Sequence, residues 1–363
     1  MKHSLPGCTK KRWRTIVYLL LYGFIIPAGA QTGAKNDLFD REEIIQITLT
    51  GNVAKALSER STVSLKYDGA LTYKNDVNMG IVIPIQLQSR GNFRRSKDNC
   101  KLPPLWIHFT KANSPVTSIF SEQKKMKLVI PCQGDEYIIR EWLAYKIYNL
   151  ISPLSFRTRL VQVSLDDPAI RKAPAPFYAI LLEEEKQLAK RNKMIAVETK
   201  TRPQQTQTNP FLTMTVFEYL IGNTDWSVQF LHNVKLLVKD SLSLPITVPY
   251  DFDHAGIVSA LYALPEEALQ LSSIKERRYR GYCMTDLKVF EPVIARYNDL
   301  KSDIYSLYNN CKLIDAKYLK FVTGFLDEFY ETINNSKKWQ KAFSYPCEPD
   351  GTGNIIIKGL KEN

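Results

Sequence analysis

"GNTDWSVQFLHNVKLL", Gly222 to Leu237, crowds Asn223, Asp225, Trp226, His232 and Asn233 into one short turn and then runs directly into a strand. An apolar helical segment, "FLTMTVFEYLIG", leads into the turn, and the strand that leaves it spans Val234 to Val238. Ten residues later "VPYDFDHAG" gives a second short apolar strand, ending on Asp251 and Asp253. An aspartate, an asparagine and two further carboxylates thus gather at the ends of adjacent strands. Magnesium prefers oxygen donors, takes few of them from protein and leaves the rest to phosphate and water. Asn233 and Asp251 read as a metal cradle, with Asp253 as a possible addition and Asp225 left over as a proton acceptor.

Upstream, from Leu38 to about Leu182, the chain reads mainly as strands. "EIIQITLT", "GIVIPIQLQS", "PLWIHFT", "KKMKLVIPC", "TRLVQVSLDD" and "FYAILLEE" are alternating or β-branched runs bounded by turn residues. One amphipathic helix, "DEYIIREWLAYKIYNLIS", interrupts them, with Asp135 expected near its cap. After Leu182 come a helical run, "EEEKQLAKRN", and a polar loop, "KTRPQQTQTNP"; beyond Lys288 the pattern is mostly helical. The expected class is α+β, with a β-rich lobe carrying one helix over residues 31–183 and a mainly helical lobe over 184–363.

Two charged residues of the β-rich part stand out. Lys127 sits in the strand "KMKLV", and Glu141 on the following helix shares a face with Ile138, Trp142 and Tyr145 at roughly 100° per residue. A carboxylate on an apolar stripe is costly unless it meets a cation, and Lys127 is the expected partner. Tyr145 and Tyr148, at helical spacing, read as core. A lysine for phosphates, a glutamate to orient it, an aspartate near the attacking hydroxyl and Asn/Asp metal ligands are the parts that phosphoryl transfer from a nucleotide requires.

At these residues the chain resembles the spore-coat protein H (CotH)-like branch of secreted atypical kinases and, more remotely, the HipA-type kinases. The resemblance runs from about Gln88 to Gly256. "RGNFRR" (Arg90 to Arg95) is similar to the family's Arg-Gly-Asn motif, "KLV" and "REWLAY" to its lysine strand and Arg-Glu helix, and "FYAILLEEE" to the strand before the interlobe hinge. "GNTDW…HN" and "PYDFD" are similar to its catalytic and metal-binding loops. The resemblance implies a bilobal protein-kinase-like fold with ATP and Mg2+ or Mn2+ as cofactors. Asp225 would be the catalytic base, and Arg90, Lys127, Glu141 and Glu183 would lie at the nucleotide. Asn233, Asp251 and Asp253 would lie at the metal. The implied partner is a protein substrate with an acceptor hydroxyl; the alternative is a catalytically inactive kinase-fold binding module. The chain departs from the kinase pattern in two places. Asp225 and Asn233 stand eight apart rather than five, through an insertion or with Gln229 in place of the asparagine, and the second motif is Asp-Phe-Asp rather than Asp-Phe-Gly.

The N-terminus belongs to targeting. Lys2, Lys10, Lys11, Arg12 and Arg14 precede the apolar run "IVYLLLYGFIIPAGA", and Ala28-Gly29-Ala30 fits a small-x-small cleavage site, so residues 1–30 read as a signal peptide. Cleavage lowers the net charge from +12 to +7, with the remaining basic residues dispersed, so no nucleic-acid partner is expected. An exported, periplasmic or secreted protein with no membrane span after cleavage is the expectation. Export permits disulfides among Cys100, Cys132, Cys283, Cys311 and Cys347, with Cys100–Cys132 the first choice. A His232/His254 transition-metal site and a calcium site at Asp251/Asp253 are the rival readings of the two loops. "RGNFRR" is open between a solvated basic turn and a phosphate-contacting loop. No P-loop and no Gly-x-Ser-x-Gly elbow is present.

Overall fold

The computed structural model describes residues 38–61, 63–110 and 118–347; the expected signal peptide lies outside the described residues. The alternating runs of the first half become β1 (Ile45–Gly51), β2 (Tyr67–Lys74), β3 (Gly80–Ser89), β4 (Leu105–Phe109), β5 (Lys125–Val129), β6 (Thr158–Asp166) and β7 (Phe177–Leu182). They close into a barrel in the order β1-β2-β3-β4-β5-β7-β6. Every neighbouring pair is antiparallel except β1 and β6, whose parallel pairing completes the ring. Alternation turns Leu49, Leu71, Ile83, Leu87, Ile107 and Leu128 into a fully buried interior. Closure also leaves these strands without an open hydrogen-bonding edge.

Two helices accompany the barrel, not the single one expected. α1 (Val53–Ser58) is six residues long, too short to show a helical period in sequence, and buries Val53, Ala56 and Leu57. α2 (Asp135–Ile151) packs against β6 and β7 on one side and against later helices on the other. That double contact explains its apolar residues on nearly every face. Asp135 is the first helical residue and not the cap; its carboxylate accepts a hydrogen bond from the Tyr178 N–H at 3.0 Å and ties the helix start to β7.

The second half contains α3 (Glu185–Arg191), β8 (Ile195–Val197), α4 (Thr208–Ile221), β9 (Val234–Val238) and β10 (Ile246–Pro249). It continues through α5 (Glu291–Asp299), α6 (Lys301–Asn309), α7 (Ala316–Ile333) and α8 (Ser336–Phe343). β8, β9 and β10 make an antiparallel three-stranded sheet with β9 in the centre. A second hydrophobic core surrounds α4, with Phe211, Phe217, Leu220, Phe252, Tyr297 and Phe329 all buried. The molecule is therefore a mixed α+β structure with a β-rich region followed by helices and a small sheet. Cys100 pairs with Cys132, as expected, and Cys283 pairs with Cys347; Cys311 is a free thiol.

The end of α4 sets the position of the polar turn. Gly222 caps the helix in the left-handed region, at φ +67°, and a Cβ there would lie 3.0 Å from the Phe325 ring and 3.6 Å from the Gly256 backbone. Only glycine adopts this conformation at no steric cost. The Gly222 carbonyl accepts a 3.0 Å hydrogen bond from the Gly256 N–H, so the helix end is fastened to the loop that carries Asp251 and Asp253.

Candidate active site

β9 and β10 pair with Val234 opposite Pro249, and the Tyr250 N–H donates to the Asn233 carbonyl at 3.0 Å. Asn233 and Asp251 consequently flank the mouth of one hairpin. Both backbones are left-handed, at φ 52° and 67°, a region that Asn and Asp tolerate better than most residues. The Asp251 N–H is held by the hydroxyl of buried Tyr145 at 2.8 Å. Tyr145 belongs to the core, as its spacing implied, but it also orients the metal-loop backbone, and no sequence signal marks that second role.

The eight-residue spacing between Asp225 and Asn233 is absorbed by a local turn. Ser227 and His232 exchange backbone hydrogen bonds of 2.8 and 2.9 Å, and Leu231, at φ 49°, closes the turn between them. The chain therefore returns to its starting point. The Asn233 amide donates 2.7 Å to the Asp225 carbonyl and 3.1 Å to its carboxylate. Asn233 is thus brought onto Asp225 despite the spacing, and its Oδ1 has no hydrogen-bond partner among the described residues. His232 Nε2 lies 2.9 Å from Asp225 Oδ1. Burial works against the Asp225 charge, but the His232 hydrogen bond and charge, with His254 and Arg280, hold its pKa below the usual carboxylate value. His232 moves the other way, raised by Asp225 and Asp251 against its burial. Asp225 is thus a carboxylate whose charged form is favoured, with its side chain 34% exposed.

Lys127 alternates outward from β5 while Met126 and Leu128 enter the barrel. It faces a cavity of about 680 Å³, also lined by Arg90, Trp106, Phe156, Glu183, Lys235 and Tyr250. That volume falls within the range of small-molecule sites. Three cations surround the Trp106 ring: Lys125 at 3.7 Å, Arg90 at 5.1 Å and Lys127 at 5.7 Å. Lys127 also stands 4.2 Å from the Tyr250 ring. Burial, then the positive charges of Arg90 and Lys235, push its pKa well below the ordinary lysine value, with Asp251 and Glu185 opposing. Glu183 lines the cavity too, but its fully buried carboxylate is taken by Arg157 and Arg191, each at 3.0 Å. Its side chain anchors the chain between β7 and α3.

The expected Lys127–Glu141 ion pair is absent among the described residues. Glu141 is 1% exposed, and its Oε1 has no hydrogen-bond partner. Its pKa lies well above the carboxylate range because of burial and the nearby Asp253 and Asp251, with Arg94 opposing. Arg94, from the Arg90–Arg95 stretch, is the cation of this cluster: it pairs with Asp253 at 3.6 Å and donates to the Ile130 carbonyl. Burial disfavours its charge, but Tyr262, Asp253, Glu141 and Asp251 more than offset that and raise its pKa. Within "RGNFRR" two of the arginines part: Arg90 lines the Lys127 cavity, and Arg94 is an internal counter-ion. Asp253 Oδ2 also accepts from the Tyr262 hydroxyl at 3.0 Å, so one oxygen of this carboxylate carries both protein contacts. Burial and Asp251 raise its pKa, with His254, Arg94 and Tyr262 opposing.

Sequence reasoning also passed over Arg280. It donates to the carbonyls of Thr224, at 2.6 Å, and Trp226, and its guanidinium lies 5.2 Å from the Trp226 ring. It fixes the polar turn from behind. A lone arginine in an irregular segment carries no pattern that could announce this.

The donor set fits a small oxygen-coordinated cation. Glu141, Asp251 and Asp253 together have one ion-paired cation, Arg94, among the described residues. No group of three or more His, Cys, Asp or Glu among those residues forms a metal cluster. Asn233 Oδ1 and the Asp251 carboxylate are oxygen donors at one hairpin mouth, of the kind that a magnesium or manganese ion would take.

No family model matches the chain, and no curated protein matches it. Among solved structures, the crystal structure of the Helicobacter pylori proinflammatory kinase CtkA is similar at 13% identity and a TM-score of 0.37. The match covers 70% of this chain and 93% of that one.

Proposed function

We propose that the chain is an exported, bilobal protein-kinase-like phosphotransferase that moves the ATP γ-phosphate to a protein hydroxyl. One observation carries the reading. A cavity lined by Lys127 reaches Tyr250, the neighbour of Asp251, and Asp251 shares its hairpin mouth with Asn233, which holds Asp225. Bound ATP and a divalent cation would supply the transferable group and neutralise its charge. Arg90, Lys125 and Lys127 provide cations for phosphate, and Trp106, Phe156 and Tyr250 provide aromatic walls. Asp225 is ionised at neutral pH and accepts the hydroxyl proton; His232 and Asn233 hold it in place. Two disulfides support the export expected from the sequence.

One observation favours the inactive binding module: Lys127 and Glu141 are not paired among the described residues, although the apolar stripe around Glu141 leads to the expectation of that pair. The deciding experiment is transfer of labelled phosphate from Mn-ATP to the protein itself or to a mixed-protein acceptor. Incorporation that Asp225→Asn removes supports the kinase reading. Adenine-nucleotide binding without incorporation by wild-type protein supports the module.

A further inference from the structure

We propose that Arg94 is a built-in counter-cation that withholds Asp253 from divalent metal, so that the centre takes a single ion at Asn233 and Asp251. The inference rests on the metal-dependent reading above and deepens it. Arg94 and Asp253 are 9% and 7% exposed at the side chain, and their 3.6 Å pair is closed in by the Tyr262 hydroxyl on the same carboxylate oxygen. Arg94 is itself tethered through the Ile130 carbonyl at the end of the lysine strand. Asp-Phe-Asp would otherwise put two carboxylates beside the phosphate site. Glu141 is buried, and its Oε1 has no hydrogen-bond partner among the described residues. Removing the guanidinium leaves buried carboxylates without a cation, and a divalent ion is the small species able to replace it.

The test is calorimetric titration of Mn2+ alone into wild-type protein, Arg94→Met, Arg94→Lys and Asp253→Asn. Wild type should bind at most one ion. Arg94→Met should gain a second ion or bind Mn2+ at least about tenfold more tightly, as unmasking a carboxylate in a low-dielectric site requires. Arg94→Lys should behave like wild type, because a charge is retained. A structural role alone predicts the opposite sign, with metal binding weakened or unchanged in Arg94→Met, and that result overturns the proposal. If Arg94→Met does not fold, Asp253→Asn decides. Mn2+ affinity within about twofold of wild type supports a carboxylate outside the ion's ligand set, and a loss matching that of Asp251→Asn overturns it. Failure of the kinase reading is distinct. Wild-type protein that binds neither Mn2+ nor Mn-ATP defeats that reading, while a Mn2+ site that appears in Arg94→Met and not in Arg94→Lys still supports the role of Arg94.

Discussion

Asn233 Nδ2 holds Asp225, and on the kinase reading proposed above its Oδ1 would take the cation. Asp225 and Asp251 therefore stand on either side of one residue and should fail differently. Asp225→Asn removes the proton acceptor but keeps its size. It should leave Mn-ATP affinity nearly intact and lower transfer by about 100- to 10,000-fold, the range of general-base contributions. Asp251→Asn removes the charged ligand and should weaken metal–nucleotide binding together with transfer. Calorimetry for binding and labelled phosphate for transfer separate the two. Wild-type transfer by Asp225→Asn would remove that residue from the role of base.

At the scale of elements, the polar turn depends on how α4 ends. Gly222→Ala forces a Cβ into the left-handed region and against Phe325. The variant should lose about 1–2 kcal/mol of stability, measured by urea unfolding. Elements with a long period or a clear alternation were legible in sequence: the barrel strands, α2, α4 and α7. α1 and β8, at six and three residues, fall below the length at which a period can be counted. The gathering of Asp225, Asn233 and Asp251 was legible because each sits in a contiguous motif. The site was not legible where one side chain travels, as Arg94 does to Asp253, because chain closure alone decides which cation meets which carboxylate. β4 carries a separate prediction. His108 Nε2 lies 2.8 Å from Gln88 Oε1, and burial, with Lys66 and Lys125, lowers its pKa from 6.5 to about 4. Between those values the unfolded chain binds a proton that the folded protein does not. Stability from this group is thus present above 6.5 and is lost as pH falls toward about 4. Urea titrations at several pH values should show a shallower acid limb for His108→Gln than for wild type.

For the whole molecule, the barrel and the second core meet at the cavity, since Trp106 and Lys127 come from barrel strands while Lys235 and Tyr250 come from the small sheet and its exit. A ligand there touches both parts and should report on global stability. At about 100 times its dissociation constant, a ligand that binds only the folded state adds about 2.7 kcal/mol. Mn-ATP should therefore raise the melting temperature, and ATP with chelator should raise it much less, because the hairpin mouth then lacks its cation. Lys127 is the most informative substitution. Its ammonium is held near Arg90 and Lys235 with its pKa already lowered, a cost that a bound phosphate would relieve. Lys127→Met relieves the same cost without ligand, so the free variant should melt at or above the wild-type temperature. It should nonetheless lose most of the Mn-ATP shift. A variant that keeps the full shift would show that the nucleotide lies elsewhere, and a wild-type melt that does not move with millimolar Mn-ATP would leave the cavity without the role assigned to it.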